Sequence, residues 1–144
     1  MNINIKTFSK NLTRIAVGCS ISLFSFADVV VVVHPSNDAA LNEKSVKRIF
    51  LGKEKKFSNG KEVLPVNQAP SSGARSTFDT GTLGRSSTQI AAYWSKQVFT
   101  GKGIPPKELD DDAAVLAIVA DNPNAIGYVD SASVSDAVKV ISLN

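Results

Sequence analysis

Five consecutive valines, Val29–Val33, constrain this chain's fold more than any other segment. β-branched side chains favour extended backbone, and a run apolar on both faces suits only a strand covered on both sides. Such strands sit in the middle of parallel or mixed sheets flanked by helices. His34-Pro35-Ser36-Asn37-Asp38 then stops the run.

What precedes the valines has a different character. Residues 1–14 carry Lys6, Lys10 and Arg14 and no acid; Ile15–Ala27 is uncharged and ends in Ser25-Phe26-Ala27. A basic start, a short apolar stretch and a small-x-small end describe a secretory leader, so residues 1–27 are expected to be removed before Asp28. Two other readings are weaker. Ala16-Val17-Gly18-Cys19 faintly matches a lipid-attachment box, but apolar sequence continues beyond Cys19. An uncleaved anchor over Ile15–Val33 would carry Asp28, at about 2.5–3.5 kcal/mol if mid-membrane. Export to the periplasm or medium is therefore expected.

The leader also holds the charge excess. The chain has 16 Lys+Arg against 13 Asp+Glu, and the three basic residues of the leader account for the difference. Residues 28–144 are balanced, which removes the electrostatic case for a nucleic-acid partner. The single cysteine lies in the leader and the chain has one histidine, so no disulfide framework or multi-histidine metal site is expected. No cofactor is expected either.

Helices and strands alternate through residues 28–144. Val46, Ile49 and Phe50 recur at helical spacing, predicting a helix over about 43–51 closed by Gly52. Val63-Leu64-Pro65-Val66 predicts a second strand, shortened by its proline. Helices are expected near Ala74–Leu83, ended by Gly84, and over about 88–100, capped by Ser86 or Ser87. In the latter, Ile90, Trp94 and Val98 form the expected core stripe. Asp110-Asp111-Asp112 opens a helix running to about Ala120, its acids complementing the dipole. That helix is apolar on most sides (Val115, Leu116, Ile118, Val119), which predicts deep burial. Ala125–Val129 and Val138–Leu143 complete the expected strands, giving an α/β sandwich with a central mixed sheet flanked by helices.

Chemistry-bearing residues are sparse. There is no Gly-x-Ser-x-Gly elbow and no second histidine to complete a triad, so no catalytic residue is assigned and an enzyme is not expected. His34 reads as structural or solvent-facing, and the three aspartates as helix caps. Pro70-Ser71-Ser72-Gly73-Ala74-Arg75-Ser76-Thr77 is different. Unpaired amides at a helix start, two hydroxyls, a glycine and an arginine form an anion pocket, so Ser71, Ser72, Gly73, Ala74, Arg75 and Ser76 are the candidate ligand residues. The plainer reading makes Ser71 or Ser72 an N-cap and pairs Arg75 with Asp79 one helical turn on.

Ile49-Phe50-Leu51-Gly52-Lys53, the Ser-Ser-Gly helix start and Asn124-Ala125-Ile126-Gly127-Tyr128-Val129 together resemble the periplasmic phosphate-binding proteins of ABC transporters. Ala92-Tyr93-Trp94 through Phe99-Thr100-Gly101-Lys102-Gly103 resembles their short, single-domain members. The resemblance implies a type II binding-protein lobe over residues 28–144, phosphate or a related oxyanion as ligand, and a membrane transporter or sensor as partner. It also implies that full-length relatives close two lobes on phosphate. Aligned to the family's phosphate loop, Ser72 and Gly73 match, Ala74 stands for a threonine, Pro70 for an aspartate, and Asn67 or Gln68 for an arginine. The expectation is thus weak oxyanion binding, in which a homodimer facing two Ser71–Arg75 loops would rebuild the clamp. A non-catalytic interaction module that kept the fold and lost the ligand is the alternative.

Overall fold

A computed structural model of the protein describes residues 28–143; the expected leader lies outside them. One five-stranded sheet organises the chain, with strands β1 (Val29–Val33), β2 (Leu64–Gln68), β3 (Lys107–Leu109), β4 (Ala125–Asp130) and β5 (Lys139–Ile141). Their spatial order is β3-β2-β4-β1-β5. β2 runs parallel to β3 and β4, while β1 runs antiparallel to β4 and β5. The valine run is therefore hydrogen-bonded on both edges and covered on both faces, as its composition requires.

Four helices cover the sheet: α1 (Glu43–Phe50), α2 (Gly73–Phe78), α3 (Ser87–Phe99) and α4 (Asp112–Asp121). Asn42 and Ser86 start α1 and α3 with reciprocal capping boxes to Ser45 and Gln89. On one face, Val31, Val33, Ile126 and Tyr128 pack against Ile49, Phe50, Phe78, Ile90 and Trp94. Phe78 and Tyr128 stack with ring centres 3.9 Å apart, and Phe50 meets Phe78 edge-on at 4.8 Å. On the other face, Val32, Val66, Ala125 and Val129 pack against Val115 and Val119 of α4. Among the described residues, both cores are assembled from side chains between Val29 and Leu143, so a chain from Asp28 contains every described core residue.

Several expectations are corrected. α4 is not deeply buried: only Val115 and Val119 are, because it is an outer-layer helix whose far side meets water. Val98 is 54% exposed and has left the core stripe of α3. The helix expected over 74–83 holds α geometry only to Phe78, then widens into a π-turn over Asp79–Leu83 before Gly84. β3 had no counterpart in the expected element order.

Pro65 is tolerated because of where it falls. Leu64 N–H bonds to Asn124 O on the β4 side, so the Pro65 nitrogen faces the other edge, where β3 pairing begins only at Val66. Gly52 is also required where it stands: its φ is +70°, and a Cβ there would lie 2.8 Å from Trp94 Cη2.

Candidate functional site

In a sheet with parallel strands, the crevice outside their carboxyl ends is the natural binding position. Here β2 ends at Gln68 and β4 at Asp130, and two helices start beside them, α2 after β2 and α4 after β3. Both positive dipole ends thus point to one end of the sheet. A cavity of about 550 Å³ opens there. Ser71, Ser72 and Ala74 form one wall, Asp110–Ala113 the other, with Gln68, Asp130 and Ser133 between.

A hydrogen-bond network ties the walls together through Gln68, which is 1% exposed. Ser72 Oγ donates to Gln68 Oε1 at 2.6 Å, and Gln68 Nε2 donates to Asp112 Oδ1 at 2.7 Å and to Tyr128 O at 2.9 Å. Asp112 Oδ2 accepts from the Ser133 hydroxyl at 2.7 Å and from Asp130 N–H at 3.2 Å. The acids therefore do separate work: Asp111 caps α4 through Ala114 N–H, and Asp130 accepts from Ala132 N–H. Among the described residues, no three His, Cys, Asp or Glu side chains converge as a metal site.

The candidate loop is divided by the fold. Ser72 caps α2 by accepting from Arg75 N–H at 3.4 Å, and Ser71 and Ala74 face the crevice. The first helical amides, of Gly73 and Ala74, lie too early in α2 for an intrahelical acceptor. Ser76 points to solvent. Arg75 does not join the crevice. Its side chain turns to the opposite side of β2, only 5% exposed, where Nε donates to Asp79 Oδ2 at 2.9 Å. Nη1 donates to Gln68 O at 2.8 Å and to Glu108 at 3.3 Å. Burial alone would lower the arginine pKa, but the charge and hydrogen bond of Asp79 outweigh it and hold the guanidinium above its ordinary value. The i,i+4 pairing with Asp79 is realised.

Gln68, Asp112, Asp130 and Ser133 were not among the candidates. Gln68 is signalled only by the polar Asn67-Gln68 pair ending an apolar strand, and Asp112, expected as a helix cap, instead bonds Gln68 and Ser133 while Asp111 caps α4. Asn67 faces the other core, where its Oδ1 accepts from the Tyr128 hydroxyl. Burial pushes the Tyr128 phenol pKa well above its ordinary value. Above about pH 10, unfolded chains lose that proton while folded chains keep it, so stability should fall by about 1.4 kcal/mol per pH unit. Tyr128→Phe is expected to flatten that fall in urea titrations across the alkaline range. An unchanged slope would remove Tyr128 as its source.

Comparison with known proteins reaches the same architecture. No family model matches the sequence. Among solved structures, an ABC-type phosphate transport receptor from Vibrio cholerae superposes with a TM-score of 0.62 at 19% identity, over 78% of this chain and 44% of the receptor. A phosphate ABC transporter substrate-binding protein from Clostridium perfringens, solved with bound phosphate, gives 0.62 at 21% identity, over 78% and 43%. PstS from Borrelia burgdorferi gives 0.58 at 12% identity, over 79% and 46%. This chain spans under half the length of the receptors it matches. Its mixed sheet and flanking helices are the fold of a single lobe of a phosphate-transport receptor.

Proposed function

We propose that the crevice between the starts of α2 and α4 is a low-affinity site for a small oxyanion that carries its own proton, with hydrogen phosphate as the fitting species. The observation that carries this reading is the meeting of two helix starts at one cavity beside the Ser71 and Ser72 hydroxyls. In this reading the amides of Gly73 and Ala74, too early in α2 for an intrahelical acceptor, donate to anionic oxygens. Asp110 and its neighbours are acceptors, so they discriminate: a P–OH group can donate to a carboxylate, whereas sulfate has no proton to offer. Arg75 acts from behind as a positioning residue, holding the Gln68 carbonyl and hence the β2–α2 turn. In this reading the domain is exported and presents its solute to a membrane transporter or sensor, and a second copy facing its Ser71–Ser72 loop can close the open side of the crevice.

Calorimetric titration of the chain from Asp28 with phosphate and with sulfate tests it. The expected phosphate dissociation constant is about 1 mM, equivalent to about −4 kcal/mol, with no sulfate heat. Ser71→Asp, at an exposed position, should abolish the phosphate signal without altering the fold. Equal binding of sulfate, or binding that survives Ser71→Asp, would overturn the assignment. A second reading, a docking module that kept the fold without a ligand, is favoured by the carboxylates around the crevice and the diversion of Arg75. Absence of phosphate heat at millimolar ligand would select it.

A further inference from the structure

The two ends of the sheet differ in charge and surface chemistry. Connections leaving parallel strands, Gln68 to α2 and Leu109 to α4, lie at the crevice end. Connections entering them, from α1 to β2 and from α3 to β3, lie at the opposite end. That entry end carries the most exposed large apolar side chains described, Phe99 at 92% and Ile104 at 88%. Both stand largely in solvent at the rims of two cavities, Phe99 beside Pro105 and Pro106 and Ile104 beside Gly103. Beneath them, Ile104 and Val98 share a cavity of about 790 Å³ with Trp94, Lys55 and Lys102.

The charge around this apolar tip is predominantly positive, and Glu108, which shares a cavity with Phe99, is paired with Arg75 at 3.3 Å. Residues 52–56 and 96–107 contain Lys53, Lys55, Lys56, Lys96, Lys102 and Lys107, with Glu54 as their one acid. Glu54 is engaged by Arg48 at 3.4 Å, and none of these lysines forms a salt bridge with another described residue. Asp110, Asp111, Asp112 and Asp130 gather at the crevice end instead.

Projecting aromatic and aliphatic side chains ringed by unpaired lysines match an anionic bilayer surface. The apolar groups enter the headgroup–acyl boundary while the ammonium groups meet lipid phosphates. Among the described residues no helix is long and apolar enough to cross a membrane, so such contact would be peripheral. We infer that the strand-entry end docks on an anionic lipid surface through Phe99, Ile104 and the lysines of the adjoining loops.

Co-sedimentation with lipid vesicles tests this, using the chain from Asp28 so that the basic, apolar residues 1–27 do not contribute. Binding is expected to vesicles containing phosphatidylglycerol and not to pure phosphatidylcholine. It should weaken about fivefold for each of Lys55→Ala and Lys102→Ala, and fall as salt rises toward about 1 M. The Phe99→Ser/Ile104→Ser double variant should lower binding at least about tenfold. Its thermal unfolding should be unchanged, since both side chains are already in water. No binding to phosphatidylglycerol vesicles, or binding that the double variant leaves intact, would overturn the inference. Self-association abolished by the double variant, without vesicle binding, would assign the surface to a second copy instead.

Discussion

Arg75→Met is expected to destabilise the folded protein by about 3–5 kcal/mol, measured by urea denaturation of the chain from Asp28. The reason is the charge it would strand. Asp79 is fully buried, and its Oδ2 accepts from Arg75 Nε at 2.9 Å and the Ser87 hydroxyl at 2.8 Å, while Oδ1 has no partner. Removing the guanidinium leaves a buried carboxylate with one neutral donor. It also frees the Gln68 carbonyl, loosening the turn that carries Ser71 and Ser72. The Glu108 contact adds little, because that side chain is half exposed. Arg75→Lys should recover only part of the loss, since a single ammonium cannot serve the Asp79 carboxylate and the Gln68 carbonyl together. Arg75→Met/Asp79→Leu should recover most of it, because the pair is then removed as a unit. A loss below about 1 kcal/mol for Arg75→Met would instead mean that the guanidinium is free for a ligand.

The same pair shows how far sequence reasoning reaches. Its i,i+4 spacing makes the contact possible, but whether Arg75 turns toward Asp79 or the crevice depends on which side of β2 the helix packs. That is a tertiary fact. Features written in a few adjacent residues were legible: the valine strand, the apolar face of α1, and helix starts at Ser71 or Ser72 and at Ser86 or Ser87, which the fold resolves to Ser72 and Ser86. β3 was not, because Lys107-Glu108-Leu109 has no apolar alternation and is a strand only through parallel pairing with β2. Val98 failed for a geometric reason: an i, i+4, i+8 series drifts about 40° per step around a helix with 3.6 residues per turn. Ile90 and Trp94 stay in the core and Val98 rotates out of it. In the crevice, the helix start at Ser72-Gly73 could be read locally. The link from Gln68 to Asp112, 44 positions along the chain, could not.

Gly127→Val is expected to cost at least as much as overpacking usually does, about 1–3 kcal/mol, with Gly127→Ala inside that range. Gly127 sits opposite Val32 in the β1–β4 register, where α4 approaches the sheet. A Cβ there would lie 2.6 Å from Val115 Cγ1, 3.0 Å from Val66 Cγ2 and 3.5 Å from Val119 Cγ2. The backbone does not demand glycine, since Gly127 is not among the positive-φ glycines, so the cost is steric. Gly127→Ala/Val115→Ala should therefore gain back the clash component, although Val115→Ala alone opens a cavity. A conformational cost would not be relieved that way. Relief of the steric kind has a consequence at the crevice, because α4 carries Asp111 and Asp112 on its first turn. Lifting α4 by about 1 Å, as a Cβ 2.6 Å from Val115 Cγ1 requires, would strain the 2.7 Å bond from Gln68 to Asp112. Gly127→Ala should accordingly weaken the proposed phosphate binding as well as stability, and Val115→Ala should partly restore both. Restored stability without restored binding would separate helix packing from the crevice.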